Sequence, residues 1–150
     1  FHPQLDLVYF NEEQSSTIGV YQLDSGNGTL TLLERLSTLP EGLVEQKNST
    51  GQVHVHPSGD YVYVSNRGHD SIAMFAINRK TGKLTSLGQE PSEEVPRAFG
   101  IDPSGKYLLA GSDHSGRLVV YRINQQGILI PVKVYDLGMW PSWVLPVVFD

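Results

Sequence analysis

Residues 54–77 read HVHPSGDYVYVSNRGHDSIAMFAI, and this stretch decides the fold. Val53 and Val55 alternate with His54 and His56, the two-residue period of a strand. Pro57-Ser58-Gly59-Asp60 makes a tight turn. Tyr61-Val62-Tyr63-Val64 is β-branched and aromatic, a composition that suits a pleated, half-buried surface. Asn66-Arg67-Gly68-His69-Asp70 breaks it, and Ile72 to Ile77 starts a third strand.

The rest of the chain repeats this pattern. HPSGDYVYVSN at His56 recurs as DPSGKYLLAGS at Asp102, a period of 46, and an earlier copy, HPQLDLVYFNE, begins at His2, a period of 54. After each copy comes a strand with an aromatic end: Ile18-Gly19-Val20-Tyr21, Ile72-Ala73-Met74-Phe75 and Leu118-Val119-Val120-Tyr121. A glycine-bearing hairpin follows in each, at Gly26-Asn27-Gly28, Lys80-Thr81-Gly82 and Gln125-Gln126-Gly127, and leads into a strand starting at Thr29, Lys83 and Ile128. Periods of roughly 40–50 residues with four short strands per unit are the mark of β-propeller blades. One such sheet cannot cover both its faces, so neighbouring blades must do so. No long window keeps a 3.6-residue apolar period, which removes the crossover helices a parallel α/β fold needs. A β-sandwich would suit short strands but would not produce three copies of one strand order. The expected fold is all-β, with about three four-stranded blades in approximate repeats 2–54, 55–101 and 102–150, all in one domain.

A closed propeller typically has about four to eight blades, so these blades are expected to belong to a larger ring. The missing blades would come from the rest of a longer chain or from self-association. Both ends fall inside a repeat: the first copy lacks its innermost strand, and the run 142–149 reads as an innermost strand with no followers. Open blade faces of this kind are apolar and favour self-association.

Composition narrows the function classes. The 150 residues contain no cysteine, so neither a disulfide framework nor thiolate chemistry is available. No stretch reads as a signal peptide, and no apolar run approaches the roughly 18 residues of a membrane span; the expected location is cytoplasmic. A formal net charge of −5 argues against a nucleic-acid surface.

No G-x-S-x-G elbow, H-E-x-x-H helix or phosphate-binding glycine loop is present. The informative residues are polar groups that differ between copies, because structural residues tend to recur. Asn11-Glu12 and Asn66-Arg67 close equivalent strands with a carboxylate in one copy and a guanidinium in the other, while the third copy offers Gly111-Ser112. Solvated loop charge is the plain alternative. His54 lies opposite Val53 and Val55 on an innermost strand, either as a packing histidine or as a pocket group. His2 and His56 precede proline at the turn and read as structural. His54 and His56 alone are too few for a metal site, which takes three or four ligands, so no metal and no cofactor is expected. Pro96 sets the approach to an innermost strand starting at Arg97, near one mouth of the channel. Residues 37–51 form a polar, irregular insertion. In Gly138-Met139-Trp140-Pro141-Ser142-Trp143, Trp143 stands where the previous copy has Arg97 or its neighbour, and the two tryptophans read as packing between blades, with ligand contact as the alternative.

Taken in order, FHP, VYFNE, TIGVYQL, GTLTLLE, VHVHPSGDYVYVSNRGHDSIAMFAI, PRAFGIDPSGKYLLAG and G-x-x-PSW resemble the seven-bladed propeller lactonases, over nearly the whole chain. That family includes bacterial cycloisomerase-2-type 6-phosphogluconolactonases and the fungal carboxymuconate lactonising enzymes, and the match falls on its C-terminal blades. The resemblance implies a metal-free polar pocket on the ring axis that takes a small lactone or carboxylate. Glu12, His54 and Arg67 would be its catalytic residues, and Arg97, Asn11 and Asn66 would bind substrate. The family's G-P-R-H element lies before the first copy and is absent from this sequence, which implies an incomplete site in this stretch alone. Hydrolysis of a sugar-acid lactone needs a base to activate water, here Glu12 or His54, and donors for the oxyanion. Arg67 and Arg97 suit planar recognition of carboxylate or phosphate. The same set would serve lactone formation, and a non-catalytic ligand- or protein-binding propeller is the alternative from another class.

Overall fold

In the computed structural model, which describes residues 1–43 and 47–148, eleven strands run in chain order without a helix among the described residues. They are β1 (Leu7–Glu12), β2 (Thr17–Asp24), β3 (Thr29–Ser37), β4 (Ser49–Val55), β5 (Tyr61–Arg67), β6 (Ser71–Ile77), β7 (Leu84–Pro91), β8 (Pro96–Ile101), β9 (Tyr107–Ser112), β10 (Arg117–Ile123) and β11 (Leu129–Asp136). Three antiparallel sheets result, ordered β1-β2-β3, β4-β5-β6-β7 and β8-β9-β10-β11. The sheets are offset from the sequence repeats: β4 falls in the repeat 2–54 for all but its last residue yet pairs with β5. A blade begins one strand before the recognisable HPSG turn.

The second sheet explains why its sequence looks so apolar. Val62, Val64, Ala73 and Phe75 pack against the first sheet, while Tyr63, Ile72 and Met74 pack against the third. Successive residues point to opposite faces, and both faces of this sheet are covered, so β5 and β6 read as continuous apolar runs.

The repeats show most clearly in the joints between blades. His2 and His56 accept backbone N–H groups at Nδ1, from Gln4 and Leu5 and from Ser58. That leaves Nε2–H to donate to the turn carbonyls of the next blade, Gly59 at 2.9 Å and Gly105 at 2.8 Å. A Cβ on Gly59 or Gly105 would lie 2.7 Å from the His2 ring and 2.6 Å from the His56 ring, and both glycines have φ above 70°. Tyr9 and Tyr63 make a second joint, donating their hydroxyls to the hairpin carbonyls Gly82 and Gly127 of the following blade. The third copy has Asp102 and Leu109 at these positions; the Asp102 carboxylate accepts from Ser104 and Tyr107 of its own turn.

Three expectations change. Ser49 to Gly51, read as part of an irregular insertion, belong to β4, because Ser49 and Thr50 pair with Arg67 and Asn66; of that insertion, residues 44–46 lie outside the described residues. The run 142–149, read as an innermost strand, forms no ladder over 142–148, and Phe149 lies outside the described residues. It nevertheless lies beside the third sheet: a Cβ on Gly100 would come 2.5 Å from Pro146, and one on Gly111 would touch Val144 and Pro141. Trp140 and Trp143 do not pack between blades here and are largely exposed.

Candidate functional site

The inner strands of the second and third sheets carry the same irregularity. The register slips between Thr50 and Val53 in β4 and between Pro96 and Ala98 in β8. A bulge frees a side chain from the ladder and re-aims it; here it releases Gln52 and Arg97 at equivalent ends of neighbouring strands. Gly51 makes the approach possible, since a Cβ there would lie 2.5 Å from Ser65 Oγ and 3.2 Å from the Arg97 carbonyl. Just outside lie Glu13, Arg67 and Asp113, which share one repeat position.

A cavity of about 480 Å³ is lined by Glu13, Gly51, Gln52, Arg67, Arg97, Ser142 and Trp143. Arg67 is the best-held cation. Its Nη2 donates to the Thr50 carbonyl at 3.0 Å and ion-pairs with Glu13 across the joint between sheets. Its Nε is buried with no hydrogen-bond partner, an unsatisfied donor next to the cavity. Arg97 is more exposed and gives one N–H to Asp113 at 3.3 Å. Gln52 receives Phe99 N–H at Oε1. The backbone feeding β8 is strained: Val95 is β-branched, precedes proline and has φ 54°. It is held there by its N–H to Asp70 at 2.9 Å and by its carbonyl accepting Asp113 N–H at 3.0 Å. Such strain persists only where the surroundings over-determine it and gathers at functional sites.

A second cavity, of about 460 Å³ and called the rim cavity below, shares Glu13 and Arg67 with the first. Lys47, Asn48, Ser49, Gly68 and Val95 complete it together with Gln14.

The sequence-derived residues distribute as follows. Arg67 and Arg97 line the axial cavity together. Glu12 does not line it: its carboxylate accepts from Thr17 at 2.6 Å, Tyr21 at 3.1 Å and Arg35 at 2.6 Å, on the opposite face of the first sheet. The Thr17 hydrogen bond, then Arg35, holds its acidity stronger than an ordinary glutamate's. The carboxylate facing Arg67 is that of the neighbouring residue, Glu13. His54 sits edge-on to Phe99 at 4.7 Å and reaches Gln52 at 3.3 Å, one residue behind the cavity wall. Burial pushes its pKa down. Asn11 clamps the wall from behind, donating to Thr50 Oγ1 and the Gly51 carbonyl. Asn66 is fully buried, donates to Thr38 O and Ser71 and accepts from Thr38 Oγ1 and Asn48. With its amide occupied on both sides it holds the joint between blades rather than the cavity. Glu13 reads in the sequence only as a second carboxylate closing the first strand, and Gln52, Asp113 and Lys47 carry no signal there. The 54-residue period does align Glu13 with Arg67, a signal hidden when the two strand ends are matched by Asn11 and Asn66, which shifts the count by one residue. Among the described residues no group of three His, Asp or Glu side chains is gathered for a metal.

Comparison with known proteins follows this geometry. Residues 1–146 match the family described as "Lactonase, 7-bladed beta-propeller". The 6-phosphogluconolactonase of Pectobacterium atrosepticum is 32% identical over 151 residues, covering 100% of this chain and 45% of that protein. That of Yersinia pseudotuberculosis is 31% identical over 145 residues, 96% of this chain and 43% of that protein. The chain thus spans less than half the length of the curated relatives it matches. Among solved structures, the periplasmic gluconolactonase PpgL of Pseudomonas aeruginosa superposes with a TM-score of 0.86 at 26% identity, over 93% of this chain and 39% of that one. A putative 6-phosphogluconolactonase of Bacteroides uniformis gives 0.83 at 31% identity, over 93% and 40%. Three stacked sheets, bulged inner strands and a family match along almost the full length lead to one assignment: the chain belongs to the seven-bladed β-propeller lactonase family.

Proposed function

We propose that the protein hydrolyses a sugar-acid lactone, of the 6-phosphogluconolactone type, in the axial cavity. The carrying observation is the convergence of Glu13, Arg67 and Arg97 on one polar cavity at the ends of neighbouring strands. In this reading the Glu13 carboxylate takes a proton from water as the water oxygen adds to the lactone carbonyl carbon. Arg97, with most of its fork unused, stabilises the oxyanion that forms. Collapse breaks the ring C–O bond, and the departing alkoxide takes up the proton, giving the open hydroxy acid. Arg67 fixes Glu13 through their ion pair and is itself held by the Thr50 carbonyl. Trp143 supplies an exposed aromatic face beside these charges. The relatives named 6-phosphogluconolactonase and gluconolactonase support the substrate class.

The test is lactone hydrolysis by the protein as its gene encodes it, with Glu13→Gln compared against Glu12→Gln. Loss of a general base lowers kcat by roughly a hundredfold or more, and this loss is expected at Glu13 with the fold retained. Equal turnover by wild type and Glu13→Gln would reject Glu13 as the base; no hydrolysis of any sugar lactone by a folded wild type would leave a binding propeller.

A further inference from the structure

The rim cavity has no part in the chemistry just described, yet it shares the Glu13–Arg67 pair with the axial cavity as a common wall. It adds a second cation, Lys47, and the polar side chains of Asn48 and Ser49. The backbone carries these residues to this place by specific contacts. Asn48 is tied at three points: Nδ2 donates to Ser16 Oγ and Asn66 Oδ1, and Oδ1 accepts His69 N–H. Gly68, at φ 122°, is overlain by this segment so closely that a Cβ would sit 2.2 Å from the Lys47 carbonyl and 3.2 Å from Asn48 Cα. No other residue would let the Lys47 backbone close against the end of β5. Lys47 is therefore seated beside Arg67 by an anchored chain, although its own side chain is exposed.

Two cations and hydroxyl and amide groups, reached past a shared arginine, fit a phosphate monoester. The Glu13 carboxylate is paired with Arg67, so the two offset each other and Lys47 carries the net positive charge of the lining. A phosphorylated sugar lactone carries its phosphate on an exocyclic arm, away from the carbonyl, which matches two adjoining cavities with different chemistry. Resting on the lactonase reading above, we propose that the rim cavity is a phosphate subsite, and that Lys47 sets the preference for phosphorylated over unphosphorylated lactones.

The experiment uses the protein as encoded, as wild type and as Lys47→Met, with Lys83→Met on an exposed hairpin controlling for loss of charge at a distance. The ratio of kcat/KM for 6-phosphogluconolactone to that for gluconolactone is measured, alongside calorimetric binding of inorganic phosphate. A hydrogen bond to a charged group contributes enough to change such a ratio roughly tenfold to a hundredfold. The expected result is a fall of that size in Lys47→Met, none in Lys83→Met, and phosphate inhibition that competes with the phosphorylated lactone in wild type and weakens in Lys47→Met. An unchanged ratio in a folded Lys47→Met overturns the proposal. Phosphate binding that depends on Lys47 without any preference for the phosphorylated lactone overturns the substrate assignment in favour of a free-anion site. If neither lactone is turned over, the lactonase reading fails by itself, and phosphate binding that is lost in Lys47→Met still separates the subsite from that failure.

Discussion

Alkaline pH should pull this fold apart at its blade joints. Tyr9, Tyr63 and Tyr121 are almost wholly buried, and each donates its hydroxyl to a backbone carbonyl: Gly82 at 3.1 Å, Gly127 at 2.9 Å and Pro91 at 2.9 Å. A phenolate has no proton to donate, so ionisation would set an anion against a carbonyl oxygen. Burial, with a smaller contribution from Glu34, pushes Tyr9 up to about 12. Burial likewise pushes Tyr121 up to about 12, with Glu90 and Glu93 adding to it. Tyr63 is pushed higher still by burial. The folded values lie above the unfolded value near 10, so this stability is fully present below about pH 10 and is lost as pH rises toward 12. At pH 11 each unfolded phenol gains about 1.4 kcal/mol from ionising, so the three together cost the native state about 4 kcal/mol. That is a large share of a total stability on the order of 5–15 kcal/mol. Chemical denaturation at pH 9 and pH 11, followed by circular dichroism, measures the loss. Replacing Tyr63 by Phe should lower stability at pH 9 by about 1–2 kcal/mol, since Gly127 loses a donor. The same change should reduce the loss between pH 9 and 11 by about 1.4 kcal/mol. Equal losses in wild type and Tyr63→Phe would refute the reasoning.

Other consequences are more local. Gly105→Ala places a methyl at φ 72° and 2.6 Å from the His56 ring, which should lower stability by about 2–3 kcal/mol, seen as a drop in Tm. His54 has a depressed pKa, so its contribution holds above its ordinary value near 6.5 and is lost as pH falls below it. His54→Gln should accordingly flatten the acid limb of the stability curve in denaturant titrations between pH 7 and 5. Glu12→Gln should leave lactone turnover within a few-fold while weakening the Arg35 contact, with little effect on Tm for so exposed a pair. The segment 1–150 on its own exposes Phe10, Tyr107, Leu145 and Val147, and light scattering should show it self-associating.

The fold was legible because the repeated turn is cheap to recognise and hard to disguise: His56-Pro57-Ser58-Gly59 and Asp102-Pro103-Ser104-Gly105 need the same glycine for the same positive φ. The site was legible only in part. Arg67 and Arg97 stood out as charges at strand ends, and the structure brings them to one cavity. Glu12 stood out for the same reason, but the two-residue alternation of a strand sends it to the opposite face of the sheet from Asn11, toward Arg35. Its neighbour Glu13 lies just past the strand, where the alternation no longer predicts a face. Gln52 was hidden because the bulge that re-aims it leaves no composition signal, and Lys47 because what seats it is a glycine twenty-one residues later.

The joints between blades also bear on how such a chain grows by duplication. In the first two units the donor that grips the next unit, a His ring N–H or a Tyr hydroxyl, comes from the unit itself, while the acceptor is the backbone carbonyl of a glycine. A copied unit of this kind arrives with its own grip and its own handhold, so it fits behind any other unit without compensating change elsewhere. The unit beginning at Asp102 offers the handholds, Gly105 and Gly127, but lacks both grips. It can follow a sister unit but cannot hold one in the same way, and its far side is free to diverge toward whatever the tail from Pro141 to Pro146 requires.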